Sequence, residues 1–349
     1  MTPEIEIAGR KIGPGHSPYV ICELSGNHNG SLERALGMID AAAATGCDAI
    51  KIQTYTADTI TLDVDRPEFR IAGGLWEGRS LHELYREAQT PYEWHEALFA
   101  RAAERGVTLF SSPFDETAVD LLDGLGAPAY KIASFEAVDL PLIRYAAGKG
   151  KPLIISTGMA NLAEIEAARA AALEAGAAGV VLLHCVSSYP AELSDANVRT
   201  VADMAGRFAS PVGLSDHTHG TAASVAAIAL GASVIEKHFT LARADGGPDA
   251  AFSLEPAEFT ALVRDCKDAW TALGRAHYDL LGSERANLQF RRSLYVVADV
   301  KAGEPLSRAN VRSIRPGAGL PPAHLDEVLG RAAARDLKRG EPLAWDMLV

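Results

Sequence analysis

Ala49-Ile50-Lys51-Ile52-Gln53-Thr54 reads as a buried strand that ends in groups able to do chemistry. Its two long polar side chains, Lys51 and Gln53, lie two residues apart and so share one face of the strand. The same signature recurs in Ala129–Ser134 (with Lys131), Pro211–His217 (Ser215, Asp216, His217) and Val234–Thr240 (Glu236, Lys237, His238). Four further apolar runs, Tyr19–Ser25, Val107–Ser112, Pro152–Thr157 and Val180–Cys185, bring the count to eight. A helical pattern follows nearly every run. Ser31 can cap the first helix, which carries Leu32, Ala35, Leu36 and Ile39 and stops at Gly46. Thr90-Pro91 starts another, with Pro at its favoured N1 position. The last is Pro256–Leu273. Strand–helix units in this succession predict an α/β fold, a (β/α)8 TIM barrel over residues 1–280. Catalytic groups of such barrels gather at the C-terminal ends of the strands, where these polar residues fall.

Composition narrows the class of function. The 349 residues are 48% hydrophobic and 22% charged, as expected for a soluble globular protein, with a net charge of −12 and a pI near 5.3. That balance argues against nucleic acid or an anionic membrane as partner, since both attract basic surfaces. No apolar run long enough for a membrane span occurs, and the first residues lack the basic and apolar regions of a signal peptide. Cys22, Cys47, Cys185 and Cys266 are scattered and form no CxxC pair, which fits a reducing cytoplasm. Cys22 and Cys185 fall in buried strands, where a free thiol behaves as a small apolar group.

Two segments depart from the barrel rhythm. Residues 55–89, with Gly-Gly-Leu-Trp76-Glu-Gly and Leu81-His-Glu-Leu-Tyr85, form an insertion after the second strand. A loop of that length serves as a cover over the barrel mouth or as a substrate contact. After Gly274 the composition shifts. Residues 281–292 read as a polar linker and 293–349 as a compact, turn-rich module that begins with the strand Ser293–Asp299. So small a module gains stability by packing on the barrel or on a partner subunit.

His217 and His238 end neighbouring strands seven and eight, so their rings can approach within a few ångströms. Two neutral imidazoles with open positions beside them make a divalent-metal site, flanked by Asp216 and Glu236. Two unrelated polar strand ends are the plain alternative. Lys51, Lys131 and Lys237, with Ser112, Ser134, Ser156 and Thr157 nearby, suit an anion, and phosphate is a common occupant of a barrel mouth. One lysine, Lys237 beside Glu236, suits a simple ion pair. Lys131 could instead form a Schiff base, although a metal would make that unnecessary. Glu23 and Glu136 are candidate general bases, or else metal-shell or structural acceptors. Together these residues suggest a metal-assisted enzyme that joins a phosphorylated anion to a carbonyl compound.

Glu23-Leu-Ser-Gly-Asn-His-Asn-Gly30, Ile50-Lys-Ile-Gln53, Phe110-Ser-Ser-Pro-Phe-Asp115, Tyr130-Lys-Ile-Ala-Ser134, Ser156-Thr-Gly-Met159, Leu214-Ser-Asp-His217 and Glu236-Lys-His-Phe239 resemble, in order, the motifs of the sialic acid synthase family. Residues 293–349, with Arg315-Pro-Gly and a Gly-Leu-Pro turn, resemble that family's antifreeze-like (SAF) domain. The resemblance implies a transferase that condenses phosphoenolpyruvate with the open-chain aldehyde of an N-acetylated amino sugar. It implies that His217 and His238 hold a divalent metal, Mn2+ with Mg2+ and Co2+ as alternatives. Lys51, Ser112, Lys131, Ser134, Ser156 and Ser215 would hold phosphoenolpyruvate. Gln53, Tyr189 and Asp249 would contact the sugar, and Glu136 would assist the attacking water. The SAF domain would reach across a homodimer, with Arg315 and Phe290 over the partner's active site. Ser187 stands where sialic acid synthases tend to have asparagine. The insertion Gly74–Ala88, Thr90-Pro91 and Phe135-Glu136 are similar to the pseudaminic acid branch of the family, which uses a 6-deoxy sugar. N-acetylneuraminate and legionaminate synthesis are the alternatives within the family. A Schiff-base aldolase and a sugar-binding protein with a dead barrel are those outside it.

Overall fold

The computed structural model describes residues 3–349. Twelve strands, β1–β12, are numbered in chain order. The barrel strands are β3 (Tyr19–Glu23), β4 (Ala49–Thr54), β5 (Thr108–Pro113), β6 (Tyr130–Ile132), β7 (Leu153–Ser156), β8 (Val180–Cys185), β9 (Val212–Asp216) and β10 (Val234–His238). All pair in parallel in chain order, and β10 returns to β3 with Val234 opposite Tyr19 and His238 opposite Glu23. The expected (β/α)8 barrel is present. β4, β8 and the helix Pro256–Leu273 have the bounds read from sequence, and the other barrel elements end within two residues of theirs or start as much later.

Local chemistry explains the helix starts. Ser31 accepts the Arg34 N–H and begins Leu32–Ala44. Asp115 accepts from Thr117 and Ala118 ahead of Glu116–Gly124, and Asn161 with Glu164 forms a capping box before Leu162–Glu174. Pro91 differs from expectation. Its ψ of 136° is extended, so it precedes a 3-10 turn (Tyr92–Trp94) that leads into the helix His95–Glu104.

Hydrophobic burial forms two shells. The outer one packs the strands' outward faces, such as Val20, Ile50, Ile132 and Leu182, against the helices. The inner one fills the lower barrel with Tyr19, Ile21, Ala49, Phe110, Ala129, Ile154, Val181, Leu183 and Val234. A short antiparallel hairpin, β1 (Ile5–Ile7) and β2 (Arg10–Ile12), joins the inner cluster through Ile5, Ile7 and Ile12 and stoppers the barrel's N-terminal end. Ile5 packs so tightly on Gly179 that no Cβ fits there. The alternation Ile5-Glu6-Ile7 and the Ala8-Gly9 turn carry this hairpin in the sequence, but three-residue strands fall below the usual periodicity window.

The insertion is folded. It contains helix Ala57–Ile60, a 3-10 turn at Pro67–Phe69 and helix Leu81–Ala88, which Ser80 and Glu83 cap reciprocally. The first compact unit ends at Gly274, and Arg275–Val349 forms the second. There the segment read as linker contains 3-10 turns over Gly282–Phe290. β11 (Ser293–Val296) pairs antiparallel with β12 (Val311–Ile314) over a separate core that includes Leu294, Val300, Leu306, Val328 and Leu343. No helix among the described residues is long and apolar enough to cross a membrane.

Candidate active site

Strand alternation sends Glu23, Lys51, Ser112, Lys131, Ser156, Cys185, Ser215 and Glu236 to the same side as the inner cluster, above its apolar layers. The buried ion pairs show the result. Lys51 Nζ lies 3.0 Å from Glu23 Oε2 and 3.2 Å from Glu236 Oε1, with Ser112 Oγ at 3.4 Å. Ser215 Oγ donates to Glu236 Oε1 at 3.4 Å. Gln53 Nε2 donates to Glu23 Oε1 at 2.9 Å and to Ser25 Oγ at 3.2 Å, and Ser25 Oγ donates to Asp249. A continuous polar chain therefore runs from Asp249 to Ser215.

Burial acts on the titratable groups of that chain, and the neighbouring charges decide whether it prevails. Burial raises the Glu23 carboxyl above its ordinary range, against the pull of Lys51. Burial also works against ionised Glu236, but Lys131 and Lys51 outweigh it and hold that carboxyl low. Lys51 loses solvation, yet its two carboxylates leave its pKa raised. Lys131 has only the Ile132 carbonyl as hydrogen-bond partner, at 2.9 Å, and burial lowers it to about 8. It is the interior lysine with donors to spare. Ser156 Oγ is buried without a partner, and Ser134 Oγ accepts the Gly158 N–H at 3.2 Å. A side chain at Gly158 would overlap Ser134 and Ser187, so both hydroxyls depend on that glycine.

Lys237 departs from expectation. Being out of phase with Glu236, it points away from the barrel interior and pairs with Asp216 at 2.9 Å. Asp216 likewise flanks His217 in sequence only. Two interior lysines, not three, remain for an anion.

The histidines do meet. Their ring centroids are 5.3 Å apart at an interplanar angle of 65°. His217 Nδ1 lies 2.9 Å from the Val186 carbonyl, which assigns the proton to Nδ1 and leaves Nε2 free. His238 Nδ1 is buried with no hydrogen-bond partner, and Asp249 Oδ2 stands 3.8 Å away. Burial, with the neighbouring His217 and lysines, keeps His238 neutral. Burial works against a charged His217 as well, but Cys185 and the Val186 carbonyl leave its pKa raised. The unengaged nitrogens of the two rings fit a divalent ion, which takes both imidazoles in the neutral form. Among the described residues no group of three or more His, Cys, Asp and Glu is arranged to hold one, so water or substrate would complete its shell.

Aromatic rings line the other side of the pair. Tyr189 lies 4.4 Å from His217 and 5.4 Å from Phe252, and Phe252 lies 4.9 Å from His238. Trp76 of the insertion stands 5.7 Å from Tyr189, and its Nε1 donates to the Pro248 carbonyl at 2.9 Å. The insertion thus lies over the mouth beside Asp249. Leu81 is half-buried within the insertion.

Glu136 sits in the 3-10 turn Ser134–Glu136 that follows β6. Its Oε2 is buried without a hydrogen-bond partner, and burial raises the carboxyl to about 7. Phe290 and Arg315 are exposed residues of the second unit.

Cys185 and Phe252 were not singled out from sequence as site residues. Cys185 Sγ faces the mouth, 3.9 Å from His217 Nδ1 and 3.8 Å from Ser187 Oγ. Burial pushes its thiol up, but His217 and the serine hydroxyls bring it down to about 7. The parity Val181-Leu183-Cys185 signals that orientation. Phe252 lies in a 3-10 turn, where no periodicity points to it.

Comparison with known proteins shows the family. Residues 38–278 match the NeuB family and residues 291–349 the SAF domain. A pseudaminic acid synthase of Campylobacter jejuni is 46% identical over 93% of this chain and 95% of its own. An N,N'-diacetyllegionaminic acid synthase of Legionella pneumophila is 34% identical over 96% and 95%. The crystal structure of an N-acetylneuraminic acid synthetase from Leptospira borgpetersenii superposes with a TM-score of 0.74 at 32% identity, over 83% of this chain and 97% of that one. The chain belongs to the NeuB family, the sialic acid synthases that its motifs resemble, and ends in a SAF domain.

Proposed function

We propose that this protein is a pseudaminic acid synthase, which condenses phosphoenolpyruvate with 2,4-diacetamido-2,4,6-trideoxy-altrose. The observation that carries the chemistry is the paired imidazoles with free nitrogens beside an interior lysine that has unused donors. The sugar follows from the greater similarity to a pseudaminic acid synthase, 46% against 34% for a legionaminic acid synthase.

In this reaction C3 of phosphoenolpyruvate forms the new C–C bond to the aldehyde carbon, and the aldehyde oxygen takes up a proton. Water adds to C2, and the C2–O bond to phosphate then breaks. Lys131, Ser134 and Ser156 hold the anion, with Lys51, Ser112 and Ser215 fixing the wall behind it. His217 and His238 would hold Mn2+ or a similar ion, and such an ion would supply Lewis-acid polarisation of the aldehyde oxygen. Glu136 accepts the proton of the water that adds at C2. Gln53, Tyr189 and Asp249 contact the sugar. A homodimer in which the SAF domain's Arg315 and Phe290 reach the partner's site, working in the cytoplasm, completes the proposal.

Phosphate release from phosphoenolpyruvate, measured with three sugars in parallel, tests it. Turnover is expected with the 6-deoxy altrose derivative and not with N-acetylmannosamine or the 2,4-diacetamido mannose derivative. Chelator is expected to abolish turnover, and Mn2+ to restore it. Turnover with either other sugar alone would reject the pseudaminate assignment.

In this proposal the Trp76 ring, 5.7 Å from Tyr189, favours a methyl over a hydroxymethyl group. One methyl in an apolar pocket is worth about 10–200-fold in specificity. Trp76→Ala is expected to lower kcat/KM for the 6-deoxy sugar by about tenfold or more. An unchanged value would remove Trp76 from the specificity pocket.

A further inference from the structure

His217 and His238 belong to separate strands, and their rings meet only in edge contact, with no hydrogen bond from one to the other. The residues just before them do so on the other face of the barrel wall. Lys237 stands opposite Asp216 in the β9–β10 register. Their side chains pair at 2.9 Å and are each 1% exposed. Asp216 Oδ1 accepts from the Thr218 N–H at 2.9 Å and the Thr218 hydroxyl at 2.8 Å, and Oδ2 accepts from Ser224 Oγ at 2.6 Å. Lys237 Nζ also donates to the Thr218 carbonyl at 2.6 Å. Thr218 follows His217 directly. His217 is therefore bracketed by fixed residues on both sides, and the group that fixes them from β10 is the immediate neighbour of His238. Ser224 extends the anchorage to the helix Ala222–Ala229.

We infer that Asp216 and Lys237 form a positioning clamp, which sets the spacing of the two imidazoles and hence their affinity for a divalent ion. The inference rests on the metal-holding role proposed above. A buried ion pair is a poor stabiliser compared with apolar side chains of the same size, because desolvation offsets its attraction. What it supplies here is direction. Apolar side chains would keep the wall packed but would not fix the strand ends through oriented bonds. Groups that orient a metal ligand from behind commonly govern affinity without touching the metal.

Calorimetric titration of the full chain with Mn2+ alone reads the clamp. Lys237→Met is expected to raise the Mn2+ Kd about 10–100-fold. Its affinity for phosphoenolpyruvate, measured without metal, is expected to stay within about twofold of the parent's, since the clamp acts on the imidazoles only. A general loosening of the barrel would weaken both together and overturn the inference. Ser224→Ala removes a single bond to Asp216 from the helix side and is expected to raise the Mn2+ Kd less, in the same direction. It decides alone if Lys237→Met does not fold. Parent-like Mn2+ affinity in the folded variants would overturn the clamp and leave the metal site standing. Failure of the parent itself to bind Mn2+ would overturn both.

Discussion

Glu136→Gln is expected to lower kcat by about 10²–10⁴-fold, the usual contribution of a positioned general base, with little change in KM for phosphoenolpyruvate. Glutamine keeps the shape and the turn but cannot accept the proton of the attacking water. The pH dependence gives a second readout. Burial raises the carboxyl of the free parent to about 7, so kcat/KM should climb as pH rises through that value and level off above it. In Glu136→Gln this limb should disappear. The sign for stability is opposite. Because the folded pKa lies above the ordinary 4.5, the folded chain binds more protons between those values, and this group's contribution to stability is lost as pH rises from 4.5 through 7. Stopped-flow and steady-state profiles from pH 5.5 to about 9 would check the limb. A variant with the parent's kcat would exclude Glu136 as the base.

Lys51→Met is the second large effect, and it falls on folding as well as on activity. Lys51 is the cation between two buried carboxylates, at 3.0 and 3.2 Å. Removing one member of a buried ion pair costs about 3–5 kcal/mol, because the charge left behind loses both water and partner. Here two are left behind. Glu23 and Glu236 would repel each other, and their folded pKa values would rise until one holds a proton. The destabilisation should therefore be larger at alkaline than at acidic pH, since stability from a raised pKa is present at low pH and lost as pH rises. Urea unfolding of the barrel at two pH values would show it. Equal losses at both would mean that the carboxylates do not interact.

Both residues illustrate what sequence alone can and cannot supply. The i, i+2 spacing of Lys51 and Gln53 places them on one face because a strand has a period of two. The same parity puts Glu236 with His238 inside and Lys237 outside. The lysine's partner was harder to read. Sequence adjacency suggested Glu236, but the relevant neighbour lies across the sheet, and register between strands is a tertiary property. Partners such as Glu23 for Lys51, or Pro248 for Trp76, come from loops and strands far apart in the chain. Phe252 carries no signal because irregular turns have no period. The hairpin β1–β2 was missed because its strands are short, although its pattern was present.

That hairpin has a consequence for traffic. With the lower end of the barrel stoppered by Ile5, Ile7 and Ile12, the upper rim is left as the doorway to the interior. Under the proposed reaction, substrates, both products and water all share it, and the Trp76 strap lies across it. In that reaction the phosphate would form beside Lys131, and the sugar would lie under Trp76 at the rim. Turnover would then resemble a single-lane queue, in which the sugar acid must step out before the phosphate behind it can leave.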